Sequence, residues 1–291
     1  MKKAFLYLFL FLVVMLISYF IAATLGENNL RNNFEEEVAK MYETVSDDPQ
    51  PIVTEREIYY LPDPVKRWLR YSEVIGKEKV VSARLKQRGF FKMAADKEWI
   101  PFDAEEYYRV DKPAFLWWTK MKLAPFFYVT GRDKYYEGKG NMLIKIASIV
   151  TVADATGDEI NQGTLLRFLN EIMWFPSAAL SDYIYWEEID KNSARATMSY
   201  GDVSASAVFF FDDKGAFVNM TADRYSDMGG GKFSMEKWST PVGAYDRISN
   251  ILIPSKGSAI WHYKSGDFEY IKLEVTDIEY NNPSLYNESD E

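Results

Sequence analysis

Hydrophobic positions along this chain follow three different rhythms. From Ala4 to Leu25, in MKKAFLYLFLFLVVMLISYFIAATLG, they are continuous, with Lys2 and Lys3 in front and no charge inside. From Leu30 onward they fall three or four apart, at Leu30, Phe34, Val38, Met41 and Val45, which predicts an amphipathic helix. Pro49 and Pro51 in SDDPQP break it. From Val80 to Tyr280 the apolar positions form short runs rich in β-branched and aromatic residues, separated by turn residues, and these predict strands. In the last of them Ile271, Leu273 and Val275 alternate with Lys272, Glu274 and Thr276, so one face is buried and the other wet. FFFDDKGAFV and YKSGDFEY carry hairpin turns.

Two helices interrupt or flank the strands. LPDPVKRWLRYSEVIGK predicts a short helix with Asp63 as N-cap, Pro64 in the first turn and Gly76 past the end. Val65, Trp68 and Leu69 would dock it on a sheet edge. GTLLRFLNEIMWFPSAAL, Gly163 to Leu180, is far greasier. In helical register Leu165, Phe168, Leu169, Ile172, Met173 and Phe175 share one broad face, with Arg167, Asn170, Glu171 and Trp174 opposite and Pro176 ending the run. No βαβ rhythm is present, which excludes a doubly wound fold. The expected class is α+β, mainly antiparallel β. A dozen or so strands form a sheet too large to stay flat, so it curls into a half-barrel with the Gly163–Leu180 helix as plug or lid.

The N-terminal run is about the 20 residues a helix needs to cross a bilayer, and longer than the h-region of most secretory signals. It reads as a retained anchor, with a cleaved signal as the alternative. Either way the positive-inside rule leaves Lys2 and Lys3 in the cytoplasm and the following domain outside it. The expected organisation is an anchor over 1–26, a stalk and linker over 27–57, one β-rich domain over 58–281 and an acidic tail over 282–291. The expected location is the cell membrane, crossed once.

Composition narrows the partners. A formal charge of −9 argues against nucleic acid, whose phosphates require clustered Lys and Arg. The chain has no cysteine, which excludes disulfides, thiol catalysis, Cys-ligated zinc and an acylated lipoprotein cysteine.

LPDPVKRWLRYSEVIG, RGFF, LLRFLNEIMWFPSAAL and AIWHYKSGDFEYIKLEVTDIEYN resemble an uncharacterised bacterial family carrying a domain of unknown function, often with N-terminal membrane segments. The resemblance runs from about Leu61 to Asn281. More distantly, the meander from Ala196 to Tyr225 and beyond looks like the half-barrels of periplasmic lipoprotein carriers and mycobacterial lipid-binding lipoproteins. That resemblance implies a sheet wrapped around helices and an apolar cavity for acyl chains. The chain departs from those carriers in lacking a lipid-modified cysteine and in keeping an apolar N-terminal run. The family supplies no catalytic residues to carry over.

Candidate chemistry is sparse. His262 is the only histidine, and the strand around it shows no positioned partner for a general base. MGGGKFS around Lys232 fails the phosphate-loop pattern, because Phe233 stands where Ser or Thr would bind magnesium, and reads as a hairpin turn. Glu105–Glu106 and Glu187–Glu188 are adjacent pairs that diverge on a strand. Glu171 reads as an ordinary i,i+4 helix partner of Arg167. No catalytic residue, metal site or cofactor is assigned. Phe168, Leu169, Ile172, Met173, Trp174, Trp117, Trp118 and Phe126 are the expected lining of an apolar cavity. The reading favoured is a membrane-anchored protein binding a lipid or other apolar ligand. An envelope scaffold without ligand, favoured by a dry and fully packed core, is one alternative. A hydrolase, which would need convergent carboxylates with raised pKa, is the other.

Overall fold

The apolar N-terminal run folds as the first half of one long helix, α1 (Lys2–Tyr42). It is long and apolar enough to cross a bilayer, and its most apolar 18-residue stretch is wholly unburied. The helix does not stop at Gly26, since one glycine costs a helix only about 1 kcal/mol. Past that point Leu30, Phe34, Val38 and Met41 pack into a core with Tyr107, Ala114, Leu116 and Trp118. The segment read as a stalk is thus laid along the β-rich domain. Arg31 pairs there with Glu105, and Glu37 with Lys134. The computed structural model describes residues 2–46, 48–125 and 127–286, so Phe126 and residues 287–291 of the acidic tail lie outside the described residues.

After a one-turn helix, α2 (Glu55–Ile58), comes α3 (Asp63–Tyr71), capped by Pro62, so that Asp63 is the first helical residue and not the cap. Val65, Trp68 and Leu69 are fully buried. The Trp68 ring lies 5.8–6.3 Å from those of Trp186, Phe209, Phe211 and Phe217.

Among the described residues, fourteen antiparallel strands then form a single sheet. The first meander is β1 (Ser82–Phe91), β2 (Ile100–Arg109), β3 (Ala114–Ala124), β4 (Phe127–Tyr136), β5 (Lys139–Ile146) and β6 (Val150–Ala155). The helix α4 (Asp158–Glu171) follows. The second series is β7 (Ile184–Asp190), β8 (Ser193–Tyr200), β9 (Val203–Phe211), β10 (Phe217–Asp227), β11 (Phe233–Ser239), β12 (Val242–Ile248), β13 (Ile251–Tyr263) and β14 (Gly266–Tyr280). The spatial order is β6-β5-β4-β3-β2-β1-β14-β13-β11-β10-β9-β8-β7, with β12 paired to β13 off that path. Because β14 pairs with β1, the two series share one curved surface whose edges are β6 and β7. The fold is the α+β half-barrel that the pattern of strands implied.

α4 joins those two edges and lies across the concave side. Its approach to β5 is close enough that a Cβ on Gly140 would lie 2.3 Å from Thr164 Oγ1, so only glycine fits there. On the other side Leu165, Leu166, Phe168 and Leu169 share a core with Ala194 and Ala196 of β8, Ala205 and Ala207 of β9 and Ala222 of β10. These small side chains leave room for the helix backbone. The helix expected from Gly163 to Leu180 begins earlier and ends sooner. It gives way to 3-10 turns at Ile172–Trp174 and Pro176–Leu180. The cause is Pro176, which disfavours helical geometry at Phe175, here at φ −135° and ψ 69°. Its polar side is buried too: Asn170 and Glu171 are as enclosed as the leucines around them.

Trp68→Ala would remove a fully buried indole from an aromatic cluster joining α3 to the sheet. The expected destabilisation is about 3–5 kcal/mol, read as a shift of the chemical denaturation midpoint of the detergent-solubilised chain; a loss below about 1 kcal/mol would contradict the packing described.

Candidate functional site

α4 leaves part of the concavity open. Between the helix and the inner faces of β1, β3, β10, β11, β13 and β14 lies a cavity of about 450 Å³. Small-molecule sites occupy about 300–1,000 Å³. Its walls carry Trp117, Met173, Trp174, Trp238, Trp261 and Tyr270. The ring of Trp261 stacks on those of Tyr263 and Tyr270, with centroids 6.0 and 6.1 Å apart.

The polar atoms of three of these indoles are already used. Trp117 donates to Gln87 Oε1 (3.0 Å), Trp174 to the Pro254 carbonyl (3.0 Å) and Trp238 to the Tyr270 hydroxyl (3.3 Å). These three indoles therefore present ring faces to the cavity, not free donors. The Arg224 guanidinium lies 4.5 Å from the ring centre of Trp238 and 5.7 Å from that of Trp261. It borders the cavity, and its charge favours the ionised form of Glu171 on the same wall.

The end of the cavity under α4 is charged. Arg167 donates from Nε to Glu171 Oε1, from Nη1 to Asp133 Oδ2 and from Nη2 to Glu106 Oε1, each at 2.7 Å. Tyr108 donates to Glu171 Oε2 at 3.1 Å. The rings of Phe115 and Trp117 flank the guanidinium at 4.8 and 5.0 Å. Glu106 is completely buried and Glu171 nearly so. Burial opposes the charge on Arg167, and the three carboxylates more than offset it. Three carboxylates cannot all be matched by one guanidinium. Burial pushes Glu106 well above the usual carboxylate range, against the pull of Arg167 and with the repulsion of Glu171 added. Burial likewise raises Glu171, again opposed by Arg167. Both carboxylates are thereby biased toward holding protons that exposed carboxylates would release.

The expected cavity residues are dispersed. Trp117, Met173 and Trp174 border the cavity. Phe168, Leu169 and Ile172 sit in the main core. Trp118 faces the other way and packs under α1, its ring 5.4 Å from Phe34, and Phe126 lies outside the described residues. The Glu105 and Glu106 side chains diverge, to Arg31 and to Arg167. The Arg167–Glu171 pair, expected as an ordinary helix contact, is instead part of a buried cluster.

His262 has partners that its own strand did not reveal. Its Nε2 lies 2.7 Å from Ser239 Oγ and its Nδ1 2.7 Å from Asp267 Oδ1. That is the connectivity of a serine–histidine–aspartate relay. It faces away from the cavity, because the neighbours of Ser239, Trp238 and Thr240, line it. The serine is buried, and the Thr240 N–H beside it is engaged by the Met220 carbonyl, leaving no adjacent oxyanion donor. The Gly229–Gly231 turn joins β10 to β11, so Lys232 belongs to a hairpin and not to a phosphate loop. Among the described residues no group of three or more His, Asp or Glu is placed to hold a metal ion.

Residues 51–273 match DUF6544, a family of unknown function. No curated protein matches the chain significantly. Among solved structures, a DUF1329 family protein from Desulfovibrio piger is similar at 11% identity and a TM-score of 0.44, over 78% of this chain and 95% of that one. A LolA superfamily protein from Nitrosomonas europaea is similar at 8% identity and a TM-score of 0.39, over 75% and 94%. An outer membrane lipoprotein-sorting protein domain from Vibrio parahaemolyticus is similar at 8% identity and a TM-score of 0.37, over 72% and 88%.

A raised carboxylate pKa stabilises the fold at low pH, and that contribution is lost as pH rises from the ordinary value of 4.5 through the folded-state value. The melting temperature should therefore fall on this account as pH rises above that value, and Glu106→Gln should flatten the fall. Identical pH slopes for the two proteins would contradict a raised Glu106 pKa.

Proposed function

The chain belongs to the DUF6544 family, and we propose that this member is a membrane-tethered protein that binds a lipid or other apolar ligand in the cavity beneath α4. The observation that carries the reading is the cavity itself, large enough for a ligand and walled by indole and phenol rings. A fully packed core would have favoured a pure scaffold, and the space under α4 supports the binding reading instead. Burial of acyl surface against those rings contributes about 0.8 kcal/mol per methylene. Arg224, held over the Trp238 ring at the cavity wall, favours a ligand whose apolar body ends in an acidic group.

The apolar half of α1 supports the tether. Lys2 and Lys3 favour a cytoplasmic N-terminus, which puts the β-rich domain on the extracytoplasmic side of a single crossing. On this reading residues 1–26 are the anchor and 58–281 the binding domain, with 27–42 as a helical splint fixed to the sheet.

A second reading rests on Glu171, which borders the cavity with its carboxyl biased toward the protonated form. That is the state a general acid needs, and it favours a hydrolase acting on a ligand in the same cavity. Turnover of ester or glycoside probes, abolished by Glu171→Gln, would support it. No turnover by the full chain would remove it.

Native mass spectrometry of the full chain released from membranes should show an added mass of lipid size that solvent extraction removes. Ala259→Trp, which places an indole into the cavity from β13, should lower its occupancy about tenfold or more while the chain stays folded. An empty wild-type protein, or an occupancy indifferent to the substitution, would overturn the binding reading.

A further inference from the structure

The strand register places several turns at one end of the sheet. Phe91 pairs with Ile100 and Ile271, Phe102 with Met121, Met121 with Val129, and Val129 with Ile146. The β1–β2, β3–β4 and β5–β6 turns and the start of β14 therefore lie side by side. This end carries a run of exposed apolar side chains, with the charges of Asp96, Lys97 and Lys122 among them. Met93, Leu123, Phe127, Ile146, Ile149 and Val150 are each between 38% and 58% exposed. The opposite end is polar: the β7–β8 and β9–β10 turns meet there through an exposed Lys191–Asp213 ion pair.

α1 passes the apolar end at a defined height. Its Tyr19 ring lies 6.2 Å from that of Phe127, and the Tyr128 hydroxyl is 3.5 Å from the Ala23 carbonyl. Gly26 approaches the β5–β6 turn so closely that a Cβ would lie 2.8 Å from the Ser148 carbonyl oxygen. One residue later Glu27 pairs with Lys120. The helix is thus held against these turns where its apolar run ends. From Ala4 to Leu25 that run measures about 33 Å as a helix, against a hydrocarbon core of about 30 Å. Tyr19 stands six residues before Leu25, about 9 Å back along the axis. Peripheral elements that lie in a membrane interface sink about 5–10 Å into it. Phe127 is therefore at the depth of the boundary between headgroups and acyl chains, with the exposed Lys122 beside it on the headgroup side.

We propose that the β3–β4 and β5–β6 turns dock on the lipid bilayer from which α1 emerges, and that the cavity rim faces that surface. Phe91 and Met93 of the rim stand beside the β1–β2 turn at this end, and Phe233 and Phe268 stand at the starts of β11 and β14. The ligand source on this account is the membrane itself, reached without release of the protein. The proposal rests on the reading of α1 as an anchor, and its test separates the two.

The absence of cysteine makes single-site labelling clean. Leu12→Cys, Leu123→Cys, Val150→Cys and Lys191→Cys variants of the full chain would each carry a nitrobenzoxadiazole fluorophore in phosphatidylethanolamine/phosphatidylglycerol vesicles. Nitroxide-bearing lipids should quench the labels at positions 12, 123 and 150 and spare 191, whereas aqueous iodide should quench 191 alone. Quenching at 12 by lipid, with 123 and 150 open to iodide like 191, would overturn docking and leave the anchor standing. A label at 12 that lipid does not quench would overturn both.

Discussion

Arg167 enters the concave side of the sheet on the buried second half of α4, and strands β2 and β4 meet it with carboxylates. This contact ties α4 to the first meander through Glu106 and Asp133. The apolar side of the same helix is fixed to β8, β9 and β10 of the second series by leucine, phenylalanine and alanine packing. α4 also joins the two edge strands covalently. It therefore sets the distance between the halves of the half-barrel, and the cavity is the space left under it. A buried cluster of this kind is weak as a source of net stability, because desolvation offsets most of the attraction. Breaking it is another matter, since removing the guanidinium would strand three carboxylates together.

The class of the fold was legible because antiparallel alternation and a lone apolar helix leave few architectures open. The cavity was legible only in part. Alternation requires adjacent residues of a strand to face opposite ways, so Trp117 and Trp118 could never both line one cavity. Nothing in a single strand says which face will be concave. Trp238, Trp261 and Tyr270 were missed for that reason, and so was the crowding of Phe168, Leu169 and Ile172 into the core. Glu106 was harder still. Its partner Arg167 comes from α4, far along the chain, and its own neighbour Glu105 belongs to the opposite face. The histidine relay was hidden likewise, because Ser239 reaches it across β11–β13 and Asp267 across β13–β14. Gly140 and Gly26 each mark a close backbone approach that fixes a helix, a constraint set by distant parts of the chain.

Two helices address the two faces of the sheet. α4 builds the cavity on the inner face, and the second half of α1 is bolted to the outer face through Phe34, Val38 and the Glu37–Lys134 pair. Because α1 is continuous, its orientation in a membrane would be transmitted to the whole sheet with no flexible joint. On the proposed reading, such a tether would hold the binding site at one height above the bilayer, a different arrangement from a freely diffusing carrier.

The central claim is that the cavity under α4 is a ligand site and not a packing defect. An experimental structure of the full chain, purified from membranes without added lipid, tests it most directly. The account predicts elongated density along Trp117, Trp174 and Trp261, with its polar end at Arg224. Side chains of β13 and β14 collapsed into that space against α4, with no density between them, would contradict it.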